Sequence, residues 1–205
     1  MSWYEDRVFP HLLNWATRPV ERQRRELLAR ADGRVLELGV GTGANFAHYP
    51  DAATEIHGIE PTPALLEMAR AHAATLPGAE RFALRQAGAE ALPYPDQHFD
   101  SAIACLVFCT IPDNHGAARE LARVIRPGGR LLILEHVASD SGATRRMQNL
   151  LNPAWRKLAC GCQLNRETGS LLAEHGFDMN GVERWRHPKI PGFAGELLLG
   201  TAVRH

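Results

Sequence analysis

The chain has 205 residues, with 23 Lys+Arg against 23 Asp+Glu and 45% hydrophobic residues. A chain of this length buries roughly 70% of its unfolded surface, so one domain with an ordinary core is expected, and the composition excludes a disordered or fibrous protein. Balanced charge removes the electrostatic footprint of a dedicated nucleic-acid binder.

Taken in chain order, the opening Met1-Ser2-Trp3-Tyr4-Glu5-Asp6 is neither a signal nor a transit peptide. No apolar run approaches the ~20 residues that span a bilayer. A cytoplasmic protein is therefore expected, with Cys105, Cys109, Cys160 and Cys162 reduced. Two helices are expected on either side of Arg18-Pro19, one through Phe9, Leu12, Leu13 and Trp15, the other through Val20, Leu27 and Leu28. Arg18, Arg22, Arg24 and Arg25 make the second one basic, which reads first as a solvated face and second as an anion- or membrane-facing patch.

From Arg34 onward strands and helices alternate. Val35–Leu38 is a strand, and Gly39 to Gly43 a glycine turn leading into a helix. Glu55–Glu60 is a second strand, followed by a helix begun by Thr62-Pro63 with Leu66, Ala69 and Ala73 on one face. Arg81–Gln86 and Asp100–Leu106 are the third and fourth strands. Asp113 suits the N-cap of a helix carrying Ala117, Leu121, Val124 and Ile125 and ended by Pro127-Gly128-Gly129, with His115 solvated beside it. Arg130–Val137 is a fifth strand. Met147, Leu151, Trp155 and Leu158 then form a helical stripe interrupted by Pro153, suited to a core face or to roofing an apolar pocket together with Trp3 and Tyr4. A helix over Glu167–His175 stops at Gly176, and Phe177–Arg186 and Leu197–Arg204 are two closing strands. Such alternation argues for an α/β fold with a parallel sheet of seven strands covered on both faces.

Leu38-Gly39-Val40-Gly41-Thr42-Gly43-Ala44-Asn45 lets backbone approach a ligand closely, and a helix start behind it favours an anionic group. Glu60, about twenty residues on, can accept hydrogen bonds from both hydroxyls of a ribose. The pair implies a nucleoside-containing cofactor. Gly39-x-Gly41-x-x-Ala44 also satisfies the loose dinucleotide pattern, which keeps an NAD-linked oxidoreductase open. S-adenosylmethionine (SAM) is favoured by Glu37, placed to organise the turn or face an ammonium, and by Gly43, which makes the loop Gly-x-Gly-x-Gly.

Ala89-Glu90-Ala91-Leu92-Pro93-Tyr94-Pro95-Asp96-x-x-Phe99-Asp100, the first loop and Arg126-Pro127-Gly128-Gly129-Arg130-Leu131 together resemble class I SAM-dependent methyltransferases, in the broad family holding the ubiquinone-pathway C-methyltransferases. Asn152-Pro153-Ala154-Trp155, Gly161-Cys162-x-Leu164-Asn165-Arg166-Glu167-Thr168 and Cys105-Leu106-Val107-Phe108-Cys109 are similar to the methyltransferase-like alkyl-thiol S-methyltransferases of animals and their bacterial relatives. The resemblance implies a Rossmann-like doubly wound domain over residues 1–205, with a helical cap at 1–33, a cofactor-binding core at 34–137, a helical lid at 138–165 and closing elements at 166–205. It implies that Gly39, Val40, Gly41 and Asn45, with Glu37 behind them, hold the methionyl part. Glu60 would take the ribose, Pro61 would lie against adenine, Ala89 and Glu90 would line its edge, and Cys105 would close the cofactor set. Many relatives carry Asp just before the Ala-Glu pair; Gly88 stands there, so adenine recognition falls to backbone groups or Glu90. The animal enzymes begin with a hydrophobic anchor that this sequence lacks, so membrane residence is not carried over and only peripheral contact remains open.

On the acceptor side, Cys105–Phe108 lacks the Asp/Asn-Pro-Pro-Tyr of amino-group methylation, and no acid cluster suggests a magnesium site. A small, rather apolar molecule is expected, leaning to a thiol by resemblance, with a phospholipid or quinone-type lipid as runner-up and a non-catalytic SAM-binding regulator as a further alternative. SAM would be the methyl donor and S-adenosylhomocysteine the product. His136, after Glu135, is the candidate general base for a thiol with a pKa around 8.5, or a structural group at the strand end. The cysteines read as buried small hydrophobes or as thiolates for a metalloid; no metal is expected, since paired C-x-x-C spacing is missing.

Overall fold

The computed structural model describes residues 8–205; Trp3 and Tyr4, expected in the pocket roof, lie outside them. Helices α1 (Phe9–Ala16) and α2 (Glu21–Leu28) precede the sheet. β1 (Gly33–Leu38), β2 (Ala53–Ile59), α3 (Pro63–Ala73), β3 (Phe82–Arg85), β4 (Phe99–Cys105), α4 (Asn114–Val124) and β5 (Ile125–His136) follow. The chain continues through α5 (Gly142–Leu158), α6 (Thr168–Glu174), β6 (Phe177–Asp178), β7 (Val182–Arg186) and β8 (Glu196–Arg204). The strand order is β3-β2-β1-β4-β5-β8-β6, with β7 also paired to β8. The first five strands are mutually parallel, while β8 runs antiparallel against β5.

Alternation along the strands divides the core between two faces. Leu36 and Leu38 of β1, Ala102 and Ala104 of β4, and Leu131 and Ile133 of β5 pack with Leu121 of α4 and Leu171 and Leu172 of α6. Val35, Ile103, Leu132 and Leu134 point the other way, to Leu27 and Leu28 of α2 and Ala69 and Ala73 of α3. Helices on both faces make this a doubly wound α/β sheet. Its central strands end on one edge, at Leu38, Ile59, Cys105 and His136.

The expected elements are present with informative departures. Eight strands are found among the described residues because the expected Phe177–Arg186 strand is broken in two. Asp178 Oδ1 accepts a hydrogen bond from the Asn180 N–H at 2.9 Å, turning the chain. Gly181 then packs so tightly on β8 that a Cβ at Gly200 would stand 2.1 Å from its carbonyl oxygen. The glycine turn leads into a three-residue 3-10 turn, Phe46–His48, rather than an α-helix. Tyr49 is extended ahead of Pro50, where proline disfavours the helical conformation. Ile125 opens β5 rather than ending α4, and pairs with Phe99. Leu106, expected in the fourth strand, takes a left-handed φ of 56° that stops it. His115 is exposed as expected, its ring nitrogen 3.2 Å from that of His175, and Asp113 caps α4 through the Gly116 N–H at 2.9 Å.

The largest departure is α5. Met147, Leu151 and Leu158 are exposed, as is Leu150 at 80%, so this stripe is not a core face. The residue α5 buries is Gln148, which accepts from the Ser139 N–H at 2.8 Å and donates to the Val137 and Phe193 carbonyls at 3.1 and 3.0 Å. Pro153 lies inside the helix without ending it. Gln148→Ala would strand three backbone groups away from water, so urea unfolding should show a loss of about 3 kcal/mol or more. Met147→Ala should stay within about 0.5 kcal/mol.

Candidate functional site

At the carboxyl edge of the sheet, Gly39, Val40, Gly41, Asn45 and Cys105 line one cavity of about 70 Å³, with α1, Arg24 of α2 and Leu106 across from them. A wider cavity of about 360 Å³ adjoins it, sharing Asn14, Thr17, Arg24 and Thr42. Thr42 donates to Asn14 Oδ1 at 2.9 Å, tying the loop to α1. Gly41 has φ 56°, and a Cβ there would meet nothing within 4 Å, so its face is open to a ligand. Gly39 serves a different purpose: a Cβ would stand 2.5 Å from Val107 of the segment after β4, which presses directly on the loop. Val40 anchors the turn from below, its N–H donating to the Ile59 carbonyl at 3.0 Å and its side chain filling the space above Gly58.

Glu60 holds this loop in place. Its Oε2 accepts from the Gly41 N–H and its Oε1 from the Thr62 N–H, both at 3.0 Å. Burial raises its carboxyl above the ordinary value, against those two backbone bonds. Each carboxylate oxygen accepts two hydrogen bonds, which leaves capacity for ribose hydroxyls.

Beneath the loop lies Glu37, 1% exposed, accepting from Asn45 Nδ2 at 2.8 Å and from the Tyr49 hydroxyl at 2.6 Å. Burial pushes this carboxyl up to about 7, with the bonds from Tyr49 and Asn45 and the charge of Arg24 pulling the other way. Glu135, at the end of β5, is equally buried and is raised to about 7 by its burial, against N–H donors from Phe108 and Val107 at 2.9 and 2.6 Å. Cys105, facing both acids, is pushed up to about 11 by burial and is a neutral thiol.

Arg24 is the residue the sequence reading misassigned. It was expected on a solvated basic face but is 6% exposed, pairs with Glu21 at 3.0 Å, lines the pocket and has a buried Nε without a hydrogen-bond partner. Asn45 Oδ1 is likewise buried and unpartnered in the same pocket. A cationic donor and a neutral acceptor, both waiting, suit the carboxylate and ammonium of an amino-acid head. A hydrophilic residue at a core-facing position of α2, between Val20 and Leu27, was the signal available in sequence.

Pro61, Ala89 and Glu90 sit outside this cavity, toward the ends of β2 and β3. Pro61 is exposed and accepts from Gln86 Nε2 at 3.3 Å. Ala89 is packed into the core. Glu90 folds back so that a Cβ at Gly88 would stand 2.7 Å from its Oε2. A side chain at position 88 would have to displace the Glu90 carboxylate, which lies over Gly88. His136, the expected base, is 9% exposed and directs Nε2 at Cys162 Sγ, 2.9 Å away, rather than into the glycine-loop cavity.

A doubly wound sheet with a glycine loop after its first strand and an acid after its second, at one edge, is the Rossmann-like arrangement of a nucleoside-cofactor enzyme. Comparisons with known proteins agree. Residues 36–133 match the family model described as methyltransferase domain. The chain is 33% identical over 212 residues to the thiol S-methyltransferase TMT1B of Homo sapiens, covering 96% of this chain and 86% of that one. It is also 33% identical over 134 residues to the phosphatidylethanolamine N-methyltransferase of Cereibacter sphaeroides, covering 64% of this chain and 66% of the relative. Among solved structures, a geranyl diphosphate methyltransferase in complex with GPP and sinefungin shares the fold with a TM-score of 0.68 at 14% identity, over 90% of this chain and 76% of the other. The chain belongs to the class I SAM-dependent methyltransferases, in the branch that holds the thiol S-methyltransferases. The dinucleotide alternative falls with this membership.

The raised carboxyl of Glu37 carries a sign. Its folded value of about 7 exceeds the ordinary 4.5, so the native state holds the proton longer and stability falls as pH rises between those values. Glu37→Gln should make the stability–pH profile shallower in that window by about 3 kcal/mol, leaving the fall contributed by Glu135, whose buried carboxyl is also raised to about 7; Tyr49, Arg24 and Cys105, the groups facing Glu37, are unchanged in the variant. Urea midpoints measured between pH 5 and 7.5 check it, and a profile unchanged by the substitution contradicts it.

Proposed function

We propose that the protein transfers the SAM methyl group to the sulfur of a small, rather apolar thiol. The observation that carries the cofactor placement is the pair of buried, unpartnered atoms, Arg24 Nε and Asn45 Oδ1, in the cavity of the glycine loop. SAM supplies an electrophilic methyl on a sulfonium. Around it, Arg24 would hold the carboxylate, and Asn45 backed by Glu37 would hold the ammonium. Glu60 would take the ribose hydroxyls while still fixing Gly41, and Glu90 would accept from the adenine amino group. Pro61 and Ala89 would flank the ring, and Cys105, a neutral thiol, would line the methionyl end. Proximity and in-line alignment supply much of the barrier reduction for such a displacement, and Leu13 and Leu106 beside the loop would keep water from the reacting centre.

The thiol acceptor is supported by the similarity to thiol S-methyltransferases over nearly the whole chain, which spans the segments after β4 and β5 as well as the cofactor loop. A second reading, a lipid acceptor, is favoured by the exposed Leu150, Leu158 and Met147 of α5 together with Trp15 of α1, and by the partial similarity to a phospholipid methyltransferase. Purified protein with labelled SAM should methylate an alkanethiol and leave a phenol, a primary amine and ethanolamine-phospholipid vesicles unlabelled. Label in the vesicles with none in the thiol would replace the first reading by the second.

Cofactor contacts are tested separately. Arg24→Ala should weaken SAM binding by roughly 10- to 100-fold, the worth of one charge-assisted pair, and Glu60→Ala should do the same while also loosening the loop. Glu60→Gln keeps only part of the acceptor capacity and should fall between. Calorimetry with S-adenosylhomocysteine reads all three; an affinity unchanged in Arg24→Ala would remove it from the site.

A further inference from the structure

Three side chains left unassigned by the cofactor contacts meet at the carboxyl ends of β4 and β5. Cys109 lies four residues past Cys105, the end of β4; His136 is the last residue of β5; and Cys162 follows the turn after α5. One ligand-capable atom from each lies within 4.8 Å of the other two. Cys162 Sγ stands 3.6 Å from Cys109 Sγ and 2.9 Å from His136 Nε2, and the Trp155 indole N–H points at the same sulfur from 3.3 Å. Cys109 and His136 are buried and Cys162 is half-buried.

The fold assembles this group deliberately. Cys160 and Gly161 take left-handed φ values of 45° and 95°, reversing the chain at the end of α5. The Gln163 N–H then donates to the Cys109 carbonyl at 2.9 Å, pinning the Cys162 turn to the segment after β4. Asn152 of α5 fixes the same turn by accepting from the Leu164 N–H at 2.9 Å. Two thiols kept only as small hydrophobes would face aliphatic neighbours; these face each other, an imidazole and an indole N–H.

We propose that Cys109, His136 and Cys162 form a three-ligand zinc site whose fourth position receives the acceptor thiol. The fourth-ligand part rests on the thiol reading above; the metal part does not. Tetrahedral zinc, with bonds of about 2.3 Å to sulfur and about 2.05 Å to nitrogen, places two sulfurs about 3.8 Å apart and sulfur and nitrogen about 3.6 Å apart. The sulfur pair is already at that spacing, and the imidazole has to retreat by about 0.7 Å. Two thiolates with one imidazole suit a borderline-soft divalent ion and fall short of the three thiolates a trivalent metalloid takes. Closed structural sites have four protein ligands; three with one position open is the arrangement of zinc that handles a substrate.

Loading zinc onto two thiols and an imidazole releases the two thiol protons. The cluster shares the segment after β4 with the cofactor loop: Val107, two residues before Cys109, presses on Gly39. The bookkeeping closes. The acceptor S–H proton passes to solvent as its sulfur binds the ion, that sulfur then forms the new S–CH3 bond with a lone pair, and the methyl–sulfonium bond breaks to leave neutral S-adenosylhomocysteine. Thiols would thus react at a pH well below their own pKa, with no side chain required as base.

The test uses the reduced, full-length protein. Wild type should retain one zinc per chain after gel filtration, and its cobalt(II) form should show tetrahedral d–d bands with an intense thiolate charge-transfer band. Cys109→Ser and Cys162→Ser should each weaken zinc binding by at least about 100-fold, with S-adenosylhomocysteine binding retained as evidence of folding. The wild-type cobalt spectrum stands on its own if a variant fails to fold. Substoichiometric zinc, or a six-coordinate cobalt spectrum, overturns the site. Hexanethiol added to the cobalt form without SAM should shift the d–d bands, and bands that do not move overturn the open position. A shift with no thioether formed when SAM is added would instead overturn the thiol reading and leave the zinc site standing.

Discussion

A carboxylate without water is the constraint around which the rest of this molecule is arranged. Glu37 sits at the end of a central parallel strand, where both faces of the sheet are covered, so its desolvation has to be offset locally. Tyr49 and Asn45 do so with two hydrogen bonds, and to reach it the chain must fold back over β1 at once. That return path is the glycine loop. Positive φ at Gly39, Gly41 and Gly43 is the conformational consequence, and the short 3-10 turn before Pro50 brings Tyr49 to the acid. Arg24 then approaches from α2, and its charge further favours the ionised form. The proposed cofactor contacts thus draw on groups whose first task is to make a buried acid tolerable.

The second acid works from the other side of the same loop. Glu60 spends one lone pair of each oxygen on the backbone, at Gly41 and Thr62, which fixes the separation between the ends of β1 and β2. A ligand that binds there meets a preformed edge rather than a flexible one, which reduces the ordering cost of binding. Glu135 plays the matching part at β5, receiving the N–H groups of Val107 and Phe108 and so shaping the segment that presses on Gly39. Three acids at the ends of three strands therefore hold three loops in register.

How much of this was legible in the sequence depends on whether local spacing or tertiary approach determines it. The parallel core was readable because apolar residues on β1, β4 and β5 are nearly continuous and the glycine and Glu60 signals sit at strand ends. The α5 stripe misled because Met147, Leu151 and Leu158 have core periodicity while the helix in fact buries a glutamine, whose three hydrogen bonds no spacing rule announces. Phe177–Arg186 broke for a related reason: an Asx turn at Asp178 and a close backbone contact with Gly200 override its strand propensity. Arg24 was hidden by three arginine neighbours that give α2 the look of a solvated face, although it falls on the side of Leu27 and Leu28.

The two halves of the site differ in the same way. Cofactor-side groups lie within about a turn or a strand of one another, so a motif captures them, and a motif is what many methyltransferases share. The proposed acceptor-side groups come from residues 109, 136 and 162, separated by 27 and 26 positions and supplied by three different segments. No short pattern can encode such a meeting; it exists only because β4 and β5 are adjacent and a left-handed turn folds the end of α5 back over them. A shared sheet with a common loop can therefore keep one methyl donor while the segments after β4 and β5 redefine what is methylated. On the proposed zinc reading, substrate choice would follow from the turn at Cys160-Gly161 as much as from the strands beneath it, because that turn sets Cys162 against the imidazole that β5 supplies at His136.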